Sequence, residues 1–191
     1  FHCRVFDDTL GTYSSVVLHG TDSVSACTTT AGVGSGEDLS LITKNDTGGF
    51  DQQAITGLSI GLESSLIALP DGTRAVTHWQ FNGSNVLLSM LHPNGSVDTE
   101  VLVENGADWR PTKLLHDSTG GLSVFYSFAH VKSITRIQNE WVPVPVPMAA
   151  NPELEIPSVH GFSALIDGDD TTHLFTFEVL QTKPAEGDWT H

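Results

Sequence analysis

Apolar and polar residues alternate in short segments along this chain, and clusters of Gly, Asp and Asn separate the segments. The segment Ser65–Leu69, for example, is followed by the turn sequence Pro-Asp-Gly and then by the segment Arg74–Phe81. Segments of this kind are typical of β-strands joined by tight turns. No window carries the apolar stripe of 3.6-residue period that marks a surface helix. The pattern therefore predicts an all-β protein.

The same frame of four strands and three turns recurs along the chain, starting at Ser14, Ser65, Lys113 and Ser163. The spacings between these starts are 51, 48 and 50 residues. An internal period of this length predicts an array of similar supersecondary units. We divide this single array into an N-terminal strand at 1–12, three complete repeats at 13–62, 63–111 and 112–161, and an incomplete fourth repeat at 162–191.

Alternating prolines mark the last strand of the third repeat, in the segment Val142–Pro147. In an antiparallel strand, the N–H groups of every second residue point to the same side. Prolines at every second position therefore remove donors from one side only, while the valines between them keep theirs. Because proline in a sheet is confined to an edge, we predict that this strand is the outermost one.

Four-stranded units of about 50 residues, each ending in an edge strand, resemble the blades of a β-propeller. The segment Thr43–Phe50 is similar to the Asp-box turn of sialidase-type propellers, Ser-x-Asp-x-Gly-x-x-Trp, with Asn45 in place of Asp, Thr47 of Gly and Phe50 of Trp. The resemblance implies a fold of four-stranded antiparallel blades and no particular activity. It allows a closed four-bladed ring, completed by a strand at Phe1–Phe6, or part of a larger propeller completed by other residues or another chain. A β-sandwich also fits the strand pattern.

Charge and hydropathy limit the partners of the chain. Its 23 acidic and 8 basic residues give a formal net charge of −15, which repels nucleic acid and anionic lipid. No apolar run approaches the 18 to 20 residues that cross a bilayer. The N-terminal sequence Phe-His-Cys-Arg has neither an initiator Met nor a signal-peptide pattern, so we expect a processed product or an excerpt. We predict an extracellular, secreted protein that neither binds nucleic acid nor spans a membrane.

Two modifications are compatible with an extracellular protein. Cys3 and Cys27 permit one disulfide, and two buried free thiols are the alternative. Asn-x-Ser/Thr sequons occur at Asn45, Asn82 and Asn94, all in predicted turns that could carry a glycan. Two of them are Asn-Gly, which is also the preferred sequence of a hairpin turn.

No motif in the sequence indicates catalysis. A P-loop and a dinucleotide-binding glycine motif are absent from the sequence. A sialidase-like site needs three converging arginines, whereas the four arginines here are distributed over different strands and connections. The leading hypothesis is a non-catalytic module that binds a glycan or a protein. A glycoside hydrolase or lyase completed by absent blades, and a structural subunit of an extracellular assembly, are the alternatives.

Aromatic residues near polar turns are the candidate ligand-binding residues. They are Trp109 in a connection between repeats, with its neighbour Arg110, and Trp79 and Tyr126 on second strands, with His78 beside Trp79. Their rings could stack on a sugar or a peptide, or Trp79 and Tyr126 could pack between blades instead. No cofactor is expected, but a turn with clustered acidic residues is the best candidate for Ca²⁺: Asp167, Asp169 and Asp170. The alternative is an acidic hairpin turn without a cation.

Overall fold

The computed structural model describes residues 15–19, 23–31, 37–56, 64–80, 84–105, 111–128, 130–146, 162–176, 180–185, 187–188 and 190. These residues form fifteen β-strands in four separate antiparallel sheets. For the first two strands the description covers the backbone alone. No helix in the described part of the chain is long and apolar enough to cross a membrane.

The four sheets follow one another along the chain, and we call them blades 1 to 4. Within each blade, consecutive strands are also neighbours in the sheet. Blade 1 comprises β1 Ser15–His19, β2 Ser23–Ala31, β3 Glu37–Lys44 and β4 Phe50–Thr56. Blade 2 comprises β5 Ser65–Ala68, β6 Arg74–Gln80, β7 Asn85–Leu91 and β8 Val97–Val103. Blade 3 comprises β9 Thr112–His116, β10 Leu122–Phe128, β11 His130–Ile137 and β12 Glu140–Val144, and blade 4 comprises β13 Ser163–Ile166, β14 Thr172–Phe175 and β15 Leu180–Lys183.

The blades stack side by side along an arc, with their first strands innermost. β1 contacts β5, β5 contacts β9, and β9 contacts β13. A closed ring of four would also bring β13 beside β1, but the described strands show no contact of that extent. Each pair of neighbouring blades encloses its own apolar core. Several small sheets packed in series are the arrangement of propeller blades rather than of a two-sheet sandwich.

The proline-containing strand β12 lies at the edge of blade 3, as its sequence predicts. The strand order is β12-β11-β10-β9, and Pro143 lies opposite Ile134 of β11. Prolines are compatible with this position because β12 has a neighbour on one side only. Three alternating prolines, Pro143, Pro145 and Pro147, thus identified the outermost strand from sequence.

Five turns of the described chain share one backbone geometry: 45–49, 69–73, 92–96, 117–121 and 167–171. In each, the N–H of the first residue donates to the carbonyl of the fifth, and the N–H of the fourth donates to the carbonyl of the first. The fourth residue has positive φ, a conformation that favours glycine. Four of the five turns have Gly there, and the last has Asp170 at φ 57°. All five join a first strand to a second or a third to a fourth, so they lie at one end of the blades, which we call the turn face.

Candidate functional site

A groove of about 160 Å³ opens between blades 1 and 2 at the turn face. Both blades contribute to its walls, and the side chains include a cation, an amide, an imidazole and a hydroxyl as well as aliphatic groups. The lining residues are Leu41, Thr43 and Gln53 of blade 1, and Arg74, Leu91, His92, Pro93 and Gly95 of blade 2.

The floor of the groove is the apolar core between these two blades. Leu41 of β3 and Leu91 of β7 are almost fully buried, with 4% and 2% of their surface exposed. They belong to one cluster with Leu66 and Val76 on the first two strands of blade 2. Because side chains of both blades pack in this cluster, the floor holds the polar groups above it in fixed positions.

Arg74 is the first residue of β6 and follows the turn 69–73. Its Nη1 donates to the carbonyl of Gly72 at 2.7 Å, which holds the guanidinium against the end of its own blade. Gly72 has φ +86°, and a Cβ at this position would come within 3.4 Å of Pro93 Cγ. The two turns of blade 2 therefore pack closely, and Arg74 projects beside them.

The turn 92–96 lies beside Arg74 and forms the rest of the wall that blade 2 supplies. Its conformation is supported by Asn94, whose side-chain oxygen accepts the N–H and the hydroxyl of Ser96. His92 Nε2 lies 2.9 Å from a carboxylate oxygen of Asp98. Across the groove, the Gln53 side-chain amide donates to the carbonyl of Gly95 at 3.2 Å. This bond connects β4 of blade 1 directly to the wall supplied by blade 2.

A carboxylate also lies on the turn 69–73, three residues before Arg74. Hydrogen bonds from the backbone N–H and the hydroxyl of Thr73 lower the pKa of Asp71, and the nearby His92 adds to this effect. Asp71 is therefore ionised at neutral pH. The segment 71–74 thus combines an anion and a cation.

Two of the residues predicted from sequence to bind ligand, Trp79 and Tyr126, come together in the core between blades 2 and 3. They are 3% and 7% exposed and share one cluster with Leu88 and Val124. Burial raises the pKa of the Tyr126 hydroxyl. The structure therefore places both rings as the packing alternative describes, between blades.

His78 is directed away from Trp79 and is fully buried in blade 2. Its Nε2 lies 2.9 Å from Ser89 Oγ, which in turn lies 2.8 Å from the hydroxyl of Thr99 on the edge strand β8. Burial lowers the pKa of His78 to about 4, so the ring is neutral at pH 7. It forms part of a polar chain across the sheet.

Several predicted residues lie outside the described part of the chain. Trp109 and Arg110 are among them, as are Cys3 and Asn82, and only the backbone of Cys27, in β2, is described. The ligand-binding loop, the disulfide and the glycans therefore stay predictions. Of the other two sequons, Asn94 supports the turn 92–96. Asn45 supports the turn 45–49, where its side-chain oxygen accepts the N–H of Gly49 and the hydroxyl of Thr47.

The acidic turn at 167–171 uses two of its carboxylates as hydrogen-bond acceptors. Asp167 accepts the N–H groups of Asp169 and Thr171, both at 3.0 Å, and a bond from His173 Nε2 at 2.7 Å. The bond from His173 is the main cause of the lowered pKa of Asp167. Asp170 instead accepts bonds from the turn of blade 3. In the described residues, no three His, Cys, Asp or Glu side chains gather as a metal site.

Sequence reasoning missed the groove residues Arg74, Gln53 and His92. The only local signal was the position of Arg74 directly after a Pro-Asp-Gly turn and of His92 directly before Pro-Asn-Gly. Each was interpreted as a strand-end or turn residue, which is where each one lies. What the sequence did not reveal is that β4 of blade 1 faces these two turns.

Several solved structures are similar to this chain. The sequence matches no protein-family model and no curated protein. The crystal structure of a fungal lectin from Aleuria aurantia, described as a six-bladed β-propeller with a fucose recognition mode, superposes with a TM-score of 0.67 at 12% identity, over 93% of this chain and 59% of the lectin. A variant of that lectin bound to α-methyl-L-fucoside superposes with a TM-score of 0.66 at 13% identity, over 93% of this chain and 58% of the lectin.

A bifunctional GH43-CE protein from Bacteroides eggerthii is also similar. Its TM-score is 0.53 at 13% identity, over 94% of this chain and 25% of that protein. The chain therefore spans about 59% of the length of the first lectin and a quarter of the GH43-CE protein. Likenesses at this identity concern the fold. Together with the four stacked sheets, they show that the chain has a β-propeller fold built from four-stranded antiparallel blades.

Proposed function

We propose that this chain is a non-catalytic, extracellular carbohydrate-binding module that holds a sugar in the groove between blades 1 and 2. The observation that carries the proposal is the groove itself, which places a guanidinium, an amide and an imidazole over an aliphatic floor. The likeness to a propeller lectin with a fucose recognition mode supports the same class of ligand.

The chemistry of the groove suits a sugar. Hydroxyl groups both donate and accept hydrogen bonds, while the C–H groups of the ring form an apolar patch. A guanidinium has five N–H donors in a rigid fork, a geometry that matches adjacent sugar oxygens, and the bond to Gly72 fixes the position of the Arg74 group. Leu41, Leu91 and Pro93 offer apolar surface to the ring.

The volume of the groove limits what it can hold. Pockets for drug-sized ligands measure roughly 300–1,000 Å³. This groove, at about 160 Å³, is well below that range and is open to solvent. We therefore expect it to hold one terminal sugar unit, with the rest of the glycan extending into water.

A glycan array with matched variants tests the proposal. Arg74→Gln removes the guanidinium, and we expect it to lower array binding at least tenfold because several hydrogen bonds to the sugar are lost. Lys132→Gln removes one positive charge from an exposed position on blade 3 and is the control, with binding unchanged. Thermal unfolding of each variant checks that the fold is kept. Full binding by Arg74→Gln would place any sugar elsewhere.

A third variant separates the groove from the predicted loop site. Trp109→Ala alters the connection between β8 and β9 and leaves the groove residues in place. If the sugar binds in the groove, this variant binds as the unmodified chain does. Loss of binding in Trp109→Ala, with normal binding in Arg74→Gln, would instead assign the ligand to the connecting loop.

The second candidate function is glycoside hydrolysis with an active site completed by residues beyond these blades. The likeness to a GH43-CE protein favours it. Release of reducing sugar from a panel of aryl glycosides and plant polysaccharides measures it. We expect no release by this chain, and turnover that survives purification to constant specific activity would make the enzyme the better description.

A further inference from the structure

We infer that the groove between blades 1 and 2 is the single sugar site of the described blades, and that Arg74 is the residue that distinguishes it from the other two grooves. The inference rests on the proposed function and adds a stoichiometry to it. The four blades form three interfaces, and we call the turn-face ends of these interfaces the first, second and third groove. A repeat protein could bind at all three, so the side chains at equivalent positions decide the number of sites.

The equivalent positions follow from the shared turns and from strand register. Arg74 pairs with Ala68 across the first hairpin of blade 2, just after the turn 69–73. In blade 3 the corresponding pair places Leu122 opposite His116. In blade 4 it places Thr172 opposite Ile166. The guanidinium of the first groove is thus replaced by an aliphatic chain in the second and by a short hydroxyl in the third.

The wall supplied by the preceding blade changes in parallel. Gln53 lies opposite Leu41 in blade 1, and Glu100 lies opposite Leu88 in blade 2. In blade 3 the corresponding residue is Val144, which lies opposite Ser133. An amide, which donates and accepts hydrogen bonds, is therefore present in the first groove only.

Large apolar side chains fill the second groove, between blades 2 and 3. Leu122 is 4% exposed and lies in the core cluster, and Met90 and Trp141 pack against it. By strand register, Met90 corresponds to Thr43, and Trp141 corresponds to Val97 of blade 2. Replacing Thr by Met and Val by Trp adds volume on both sides, so less space remains for a ring.

The cation of the second groove is itself used in packing. Arg136 lies with its guanidinium carbon 5.9 Å from the centre of the Trp141 ring, in the range of a cation–π contact. By register, Arg136 corresponds to Leu91, which pairs with Arg74 on the neighbouring strand. The cation of the second groove therefore lies on the third strand of its blade, whereas Arg74 lies on the second strand. In this position it covers the indole face that a sugar would need.

The third groove, between blades 3 and 4, has its hydroxyl groups paired within blade 3. Ser133 donates to the carbonyl of Val144 at 3.0 Å, and Thr135 lies 3.0 Å from Ser123 Oγ. Its cation is Lys183, opposite Thr172. An ammonium on a flexible chain is a point charge and does not offer the planar fork of an arginine. Among the described residues, neither a planar fork nor an amide occupies the corresponding positions of the third groove.

Isothermal titration with methyl α-L-fucoside, and then with the methyl glycoside of the terminal sugar that the array favours, tests the inference. We expect one molecule bound per chain. Arg74→Leu, which gives blade 2 the residue of blade 3, abolishes binding. Arg136→Leu, the matched removal of the second groove's cation, leaves one site and an affinity within twofold.

The outcomes separate the two proposals. Two or three molecules per chain, or one molecule still bound by Arg74→Leu, would overturn the single site while leaving a carbohydrate-binding module in place. No binding of any array glycan or methyl glycoside would overturn the proposed function and the inference with it. Native mass spectrometry of the same mixtures checks the stoichiometry independently.

Discussion

The imidazole of His78 illustrates how a polar residue is accommodated inside a blade. It is fully buried, yet it contacts Ser89, which continues to the exposed Thr99. A buried polar group costs free energy unless it is hydrogen-bonded. The chain of hydroxyls supplies a bond to Nε2, while Nδ1 is buried without a hydrogen-bond partner in the described part of the chain. The neutral form of the ring fits this site, and the charged form does not.

The folded protein should therefore lose stability as His78 is forced to take up a proton. Its pKa is about 4 in the fold against an ordinary value of 6.5, so the unfolded chain binds the proton more readily. The stabilising contribution is complete above pH 6.5 and is lost as the pH falls toward 4. We expect a loss of about 2 kcal/mol at pH 5 relative to pH 7.5, measured by urea unfolding at both values.

Two variants identify His78 as the source. His78→Gln keeps a polar partner for Ser89 and has no titration in this range, so its stability should change by about 2 kcal/mol less between the two pH values. His92→Gln removes a half-buried histidine outside this polar chain and is the control for loss of a histidine elsewhere. The same pH dependence in His78→Gln and in the unmodified chain would contradict this assignment.

At the level of the structural element, the sequence predicted most of what the structure shows. The predicted segments Ser65–Leu69 and Arg74–Phe81 overlap β5 and β6, because turn residues and apolar alternation both act over a few positions. The alternating prolines identified β12 as an edge for the same local reason. The groove could not be predicted in this way, since it depends on which strand of blade 1 faces the turns of blade 2.

The turn 117–121 offers a test of how side chains support the shared geometry. Asp117 accepts the N–H and the hydroxyl of Thr119 at 2.9 and 2.7 Å, and the N–H of Gly121 at 2.8 Å. Partial burial raises its pKa, but these bonds outweigh that effect and hold the pKa below its usual value. We expect Asp117→Ala to lower the free energy of unfolding by about 1–2 kcal/mol in urea.

Comparison with another turn supplies the controls. Asn45 occupies the same position in the turn 45–49 and accepts the same backbone bond, so Asp117→Asn should cost less than half as much as the alanine variant. Asp46→Ala changes an exposed carboxylate in that turn and should have little effect. Equal losses in all three variants would mean that the turn sequence, and not this acceptor, sets the stability.

Neighbouring turns also hold blades together. Asp170 accepts the N–H and the hydroxyl of Ser118 at 2.7 and 2.6 Å, and so joins the turn of blade 4 to that of blade 3. Without this acceptor, β13 and β14 should open more often. We expect Asp170→Ala to speed hydrogen exchange several-fold in both strands, with blade 2 unchanged. Asp169→Ala, which alters an exposed neighbour, is the control. Equal exchange in the two variants would argue that the hydrogen bonds between Ser118 and Asp170 do not hold the blades together.

At the scale of the whole molecule, the repeat period predicted the number and order of the sheets, and the cores between blades explain why. Blades 2 and 3 each have one face that packs on the preceding blade and one that packs on the following blade, so a period in sequence becomes a period in space. The grooves do not follow this rule. Their character depends on single exchanges such as Arg74 for Leu122, which leave the apolar pattern intact.

The same stacking predicts different costs for one substitution at two equivalent positions. Phe125 and Phe175 both lie four residues after the shared turn, on the second strand of their blades. Phe125 is 3% exposed because Phe162 and Leu174 of blade 4 pack against it, whereas Phe175 is 53% exposed. Phe125→Ala should therefore cost about 3–5 kcal/mol and Phe175→Ala less than about 1 kcal/mol, measured by urea unfolding of the same chain. Because residue type and strand position are the same in both, the difference reports the packing of the next blade alone. Equal costs would show that the phenylalanines stabilise their own sheets, and that blade 4 contributes little to blade 3.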